Sequence, residues 1–204
     1  MVSVAIIDYG VGNLRSVEKA FRAGGAEAVV SADEEVLREA DRLVLPGVGA
    51  FRACMEALAA RGFGSLVRER VAAGVPLLGV CVGMQMLFEE SEEFGTTRGL
   101  GFIRGRVRRF PAGLRVPQVG WNQVGWARPN PLAEGIADGT FFYFVHSFFC
   151  EAADADAVVG ATEYGLTYPS VVARGNVCGV QFHPEKSQAA GRRRLRNVAA
   201  GERF

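Results

Sequence analysis

The feature that most constrains this 204-residue chain is the alternation of hydrophobic period along its first 90 residues. Short β-branched runs at 2–7, 28–30, 42–45 and 76–80 alternate with amphipathic stretches at 13–23, 33–40, 50–60 and 64–73. Continuous apolar runs of that length read as strands buried on both faces, and the longer stretches read as helices. Parallel strands need crossover connections, so this pattern implies a parallel sheet covered by helices on both faces. The punctuation agrees. Gly24-Gly25 closes the first helix, Asp33 is placed to cap the second, and Pro46 stops the third strand.

Beyond residue 100 the pattern changes. Runs at 102–110, 118–124, 140–149, 157–162, 170–174 and 177–182 are strand candidates joined by Gly, Pro and Asn turns, and helical periodicity returns only at 192–200. The expected architecture is α/β, with three layers: a mostly parallel central sheet, helices on both faces, and an antiparallel extension. No linker divides the chain and no period of 20 to 50 residues repeats, so residues 1–204 are expected to form a single domain. A chain of this length can bury roughly 70% of its unfolded surface, which needs neither disulfides nor metal.

Composition removes several classes of function. Lys+Arg 23 against Asp+Glu 22 gives a formal charge of +1, so no global field recruits nucleic acid or an anionic membrane. Arg104, Arg106 and Arg108 alternate on one strand face, and the arginines of 192–196 cluster on a helix; both sets read as solvated faces. The N-terminal apolar run has no basic flank and breaks at Asp8, so no secretory leader is expected. The longest apolar stretch, 75–88, contains Gly79, Gly83 and Gln85 and is too short to span a bilayer. Cys54, Cys81, Cys150 and Cys178 form no C-x-x-C pair and read as reduced, mostly buried thiols of a cytoplasmic protein. With only His146 and His183 as imidazoles, no zinc cage is expected.

Cys81 stands apart from the other thiols. It lies in G-V-C-V-G (79–83), after an apolar run and before M-Q-M-L-F-E-E, which has helical character. Strand, glycine-flanked turn and helix together form the context of a nucleophile elbow. A sharp turn strains the nucleophile's backbone, and Gly79 and Gly83 leave room for neighbouring chain. The cysteine then meets a helix N-terminus that favours thiolate, and the Val82 amide is placed to hold an oxyanion. A buried thiol in a Gly-rich strand end fits the same residues equally well.

A base is available at His183-Pro184-Glu185, which follows the strand candidate 177–182. Residues two apart in extended chain face one side, and Pro184 restricts His183 to extended backbone. Glu185 can then hold one ring nitrogen while the other faces a thiol. A strand-end His paired with a surface Glu is the structural alternative. His146, in F-F-Y-F-V-H-S-F-F, reads as a core or pocket-wall residue. The third part is Pro46-Gly47-Val48-Gly49, whose free backbone donors suit either an oxyanion strand or a phosphate cradle. It lacks the G-x-G-x-x-G spacing of a dinucleotide site, as does Gly10-Val11-Gly12-Asn13, which reads as a tight turn.

G-V-C-V-G-M-Q, P-G-V-G and G-V-Q-F-H-P-E resemble the nucleophile elbow, oxyanion strand and His-Pro-Glu segment of the class I glutamine amidotransferases. I-D-Y-G-V-G-N-L-R-S-V (7–17), P-G-V-G-A-F (46–51), P-Q-V-G-W-N (117–122), V-H-S-F-F (145–149) and H-P-E-K-S-Q (183–188) are similar to one branch of that family. Its members are glutaminase subunits that serve histidine biosynthesis. The resemblance implies a triad of Cys81, His183 and Glu185, and an oxyanion hole from Val82, Val48 and Gly49. It implies glutamine contacts from Gly49, Gln85, Glu93, His146, Ser147 and Phe148, and no cofactor. It also implies a heterodimer with a (β/α)8-barrel synthase subunit, to which ammonia passes for synthesis of imidazole glycerol phosphate and an aminoimidazole carboxamide ribonucleotide.

Trp121, Asn122 and Lys186 border the site by motif and are the candidate partner contacts; for Trp121, a core position is the alternative. Two departures stand out. Phe148 and Phe149 replace tyrosines usual in the family, and the tail R-R-R-L-R-N-V-A-A is more basic than an apolar closing helix. Other readings are a glutaminase serving a pyridoxal phosphate or anthranilate system, an inactive glutaminase-like assembly module, and a Cys hydrolase of another amide.

Overall fold

A computed structural model describes residues 2–201 and Phe204. Its first half follows the alternation of period. Strand β1 (Ser3–Ile7), helix α1 (Leu14–Ala23), strand β2 (Glu27–Ser31), helix α2 (Glu34–Glu39) and strand β3 (Arg42–Gly47) come first. Helices α3 (Phe51–Ala60) and α4 (Phe63–Ala72) lead to strand β4 (Leu77–Cys81). Asp33 caps α2 as expected, its Oδ1 accepting the Glu35 N–H at 2.9 Å. Gly25, at φ +92, turns the chain out of α1 where Gly24-Gly25 was expected to do so. Asn13 occupies the N-cap of α1, yet its side chain makes no capping bond.

Three expectations change from Cys81 onward. A helix is expected after Cys81, but α5 (Val82–Gln85) is a single turn, and strands β5 (Phe88–Ser91), β6 (Thr97–Arg98) and β7 (Ile103–Arg109) follow. Met84, Met86, Leu87 and Phe88 are all buried, so this segment has no solvent face for an amphipathic helix to keep. Strands β8 (Gln118–Trp126), β9 (Thr140–His146), β10 (Phe148–Ala152), β11 (Val158–Glu163), β12 (Thr167–Arg174) and β13 (Val177–Val180) come next, and α6 (Gln188–Ala200) closes the chain. The one strand expected at 140–149 is therefore two, broken at Ser147, and its halves enter different sheets.

The larger sheet has the order β2-β1-β3-β4-β13-β12-β11-β8-β9 among the described residues. It is parallel from β2 to β13 and antiparallel from β13 to β9. A second sheet, β10-β7-β5-β6, takes in the strand expected at 102–110 and was not foreseen as separate. Helices α1 and α6 pack together, as do α4 with α2 and α3, and the sheet lies between helical layers on its two faces.

The tail corrects the third expectation. Arg194 is wholly buried rather than solvated; its Nη1 donates to the Leu132 C=O at 2.6 Å and its guanidinium lies over the Trp126 ring. The inward stripe of α6 is Gly191, Arg194, Leu195 and Val198, a helical i, i+3, i+4, i+7 face that includes an arginine. Arg104, Arg106 and Arg108 do lie at the surface, paired with Asp154, Glu92 and Glu151. No helix among the described residues is long and apolar enough to cross a membrane.

Candidate active site

Strands β3, β4 and β13 are neighbours in the sheet, and the loops at their C-terminal ends line a cavity of about 530 Å³. In open α/β sheets this is where ligands bind. Cys81 ends β4 at φ 56, ψ −114, a left-handed conformation that side chains rarely adopt. Such strain costs about 1–3 kcal/mol and survives only where the surroundings enforce it. Here glycines allow the enforcing contacts. A Cβ on Gly83 would lie 1.9 Å from the Leu45 carbonyl oxygen, one on Gly79 2.6 Å from that of Gly83, and one on Gly47 2.6 Å from the Gly83 nitrogen. The macrodipole expected behind the thiol reduces to one turn, whose first amides, beginning with Val82, have no intrahelical partner.

His183 follows β13, which runs parallel to β4 with Val180 opposite Val80. Its backbone is pinned, the N–H donating to Tyr143 C=O at 2.9 Å and the C=O accepting from Ser187 Oγ at 2.7 Å. The residue is extended before Pro184, as expected. Strand alternation does not bring Glu185 to the ring, however. Pro184–Lys186 form a 3-10 turn, and through it His183 Nδ1 donates to Glu185 Oε1 at 2.8 Å. Asn13 Nδ2 donates to the same oxygen at 3.2 Å. The other carboxylate oxygen is buried with no hydrogen-bond partner among the described residues.

The electrostatics are coupled. Burial alone would lower the His183 pKa, but the neighbouring Cys81 sulfur and the hydrogen-bonded Glu185 carboxylate raise it to about 10. Burial alone would raise the Glu185 pKa, but the His183 ring and the Asn13 amide help hold it below its usual value. The His183 ring, bonded to Glu185 and sharing the cavity with Cys81, is thus favoured in its charged form. His146 is the opposite case. Burial lowers its pKa to about 4, and its Nδ1–H donates to Phe148 C=O at 2.7 Å, so it is a neutral wall residue. Burial pushes the thiols of Cys54, Cys150 and Cys178 up, as befits inert core cysteines.

Most of the residues singled out in the sequence meet at this cavity. Val48, Gly49, Cys81, Val82, Gln85, Glu93, His146, Ser147, Phe148, His183 and Lys186 line it. Gln85 donates its amide to Phe148 C=O and Gln181 Oε1, each at 3.1 Å, so only its own oxygen is left for a ligand. Glu93 Oε2 accepts the Phe51 N–H at 2.6 Å, at the start of α3. Trp121 is not core but 46% exposed, and Lys186 Nζ lies 5.5 Å from the Tyr143 ring centre, across β9 from it. Asn122 lies outside the cavity lining and donates to the Glu163 C=O.

Four residues escaped the sequence reading. Asn13 fits both the 10–13 turn and the start of the helix at 13–23. Gln181, whose Nε2 lies 3.9 Å from Cys81 Sγ, sits two positions before His183, a spacing that could have exposed it. Arg109 and Phe94 line the cavity from the second sheet side, and nothing in their local sequence marks them.

The chain matches the family model of glutamine amidotransferase class-I over residues 5–199. It is 50% identical over 201 residues to the imidazole glycerol phosphate synthase subunit HisH of Syntrophotalea carbinolica, covering 95% of this chain and 98% of that protein. It is 51% identical to the protein of the same name from Symbiobacterium thermophilum, covering 97% of this chain and 93% of that one. Among solved structures, PurLQS from Thermotoga maritima is similar with a TM-score of 0.77 at 19% identity, covering 97% of both chains. A structure described as a glutamine amidotransferase gives 0.75 at 23% identity, covering 97% of this chain and 99% of that one. At such identities these two likenesses concern the fold.

Proposed function

The chain belongs to the class I glutamine amidotransferase family, and we propose that Cys81, His183 and Glu185 are the triad with which it hydrolyses glutamine. It is a glutaminase of histidine biosynthesis, acting within imidazole glycerol phosphate synthase. The observation that carries the triad is the strained Cys81 sharing one cavity with an imidazole whose far nitrogen is held by Glu185. Cys81 thiolate attacks the side-chain amide carbon, and the Val82 N–H with a donor from Val48 or Gly49 receives the oxyanion. His183 imidazolium protonates the departing nitrogen, and ammonia leaves. With His183 as base, water then hydrolyses the thioester to release glutamate.

The cavity suits a free amino acid. Glu93 and Arg109 contribute opposite charges to its lining, a carboxylate for the substrate ammonium and a guanidinium for its carboxylate. Gln85, His146, Ser147 and Phe148 complete the pocket, Phe148 through backbone and ring face in place of a phenol.

Ammonia in neutral water is mostly ammonium and cannot attack, so a dry route to a second active site preserves it. We assign the receiving subunit as a (β/α)8 barrel in a cytoplasmic heterodimer, with residues 1–204 acting as one domain. Its docking surface is the β8–β9 face, where Val119 (59% exposed), Trp121 and Phe141 (52%) form an apolar strip close to the Tyr143–Lys186 pair. Asn122 lies beside that strip. The test is glutamine hydrolysis by the chain alone, with the barrel subunit, and with that subunit loaded with its nucleotide substrate. Low basal turnover and strong stimulation are expected; equal rates in all three would remove the coupling, and no turnover in any would remove the glutaminase.

A further inference from the structure

Two buried donors outside this mechanism hold the end of β3 and the loop that follows it. Tyr9, just beyond β1 and 3% exposed, donates its hydroxyl to the Pro46 C=O at 2.5 Å. Cys54, fully buried in the first turn of α3, donates its thiol to the Val48 C=O at 3.3 Å. The two carbonyls flank the Gly47–Val48 peptide, the unit that carries the Val48 N–H.

Peptide units are planar, so pinning a carbonyl orients its whole unit. With the units on either side pinned, the one between them retains only rotation about the line joining its two Cα atoms. Close packing restricts displacement of the loop as a body. A Cβ on Gly12 would fall 2.9 Å from Pro46 Cβ, and one on Gly47 2.6 Å from the Gly83 nitrogen. The loop is thus walled by the 10–12 turn and by the nucleophile elbow, and tied by a phenol and a thiol.

We propose that Tyr9 and Cys54 are positioning residues of the oxyanion hole: by tying Pro46 and Val48 they fix the axis about which the intervening N–H turns to meet the developing charge. The inference rests on the glutaminase reading. Neither side chain lines the cavity, so both act through the loop and not on substrate.

Glutamine hydrolysis is measured in the complex with the barrel subunit and its nucleotide substrate, for wild type, Tyr9→Phe, Cys54→Ala and Cys54→Ser. Tyr9→Phe and Cys54→Ala should each lower kcat about tenfold with KM unchanged, a fraction of the loss when an oxyanion donor is removed outright. Cys54→Ser, which keeps a donor, should stay within about threefold of wild type. Alkylation of Cys81 by iodoacetamide requires no oxyanion hole and should proceed at the wild-type rate in all four. Unchanged kcat in both Tyr9→Phe and Cys54→Ala, Cys54→Ser as slow as Cys54→Ala, or alkylation falling in step with kcat would each overturn the proposal. A wild-type complex that turns over no glutamine would instead overturn the reading beneath it.

Discussion

The parallel and antiparallel halves of the large sheet contribute to one cavity in opposite ways. β3, β4 and β13 are buried along their whole length, and their register places Gly47 opposite Cys81 and Val180 opposite Val80. Side chains there have no freedom to drift. β8 and β9 alternate between buried and exposed positions, as antiparallel strands with one uncovered face do. The two histidines carry the difference. His183, beside β4, is held charged by a thiol and a carboxylate, whereas His146, in β9, is desolvated into neutrality. On the proposed reading the fully buried half carries the chemistry, and the half-covered half supplies the pocket wall and the docking face.

That division can be broken by experiment. Cys81→Ser should lower glutamine-dependent synthase turnover by about 10⁴-fold or more, while turnover with free ammonia survives. Equal loss of both would place Cys81 in the shared structure and not in the glutaminase step. Trp121→Ala should weaken the complex about 10- to 100-fold in Kd by calorimetry, with no change in the melting temperature of the isolated chain. A lowered melting temperature with unchanged Kd would return Trp121 to the core. Arg109→Leu should raise KM for glutamine about tenfold at constant kcat, and a fall in kcat alone would deny it the substrate carboxylate.

The smallest effect sharpens the contrast between the histidines. The folded chain binds fewer protons at His146 than the unfolded chain does between its usual 6.5 and about 4, so stability should fall as pH drops through that window. At His183 the folded chain binds more. Its stabilisation is complete below 6.5 and lost as pH rises through about 10. Urea unfolding across pH should show His146→Asn flattening the acid limb and Cys81→Ala flattening the alkaline one. Opposite assignments of the two limbs would invert the comparison.

How much of this was readable depended on how far apart the deciding atoms lie in the chain. Cys81 with its two glycines, and His183 with Pro184 and Glu185, are local patterns, and each was legible. The path from ring to carboxylate was not. Strand alternation suggested it, while a 3-10 turn makes it, because Pro184 can open such a turn. The short α5 was hidden because a short, mostly apolar stretch such as 84–88 suits a helix or a buried strand equally well. Arg194 was hidden because charge on a helix suggests solvent, and only the packing of α6 against the 131–133 turn provides its carbonyl partner.

The amino-acid order by itself determined the parallel sheet, the strained turn at 81 and the supply of one base and one carboxylate, since period, glycine placement and residue scarcity are local properties. Only the tertiary structure decided that the Asn13 amide would reach Glu185, that Gln181 would reach the sulfur, and that Tyr9 and Cys54 would tie the 46–48 segment. Each of those bonds joins groups from different elements. Backbone register and helix packing bring them within hydrogen-bonding distance, and no stretch of sequence records that on its own.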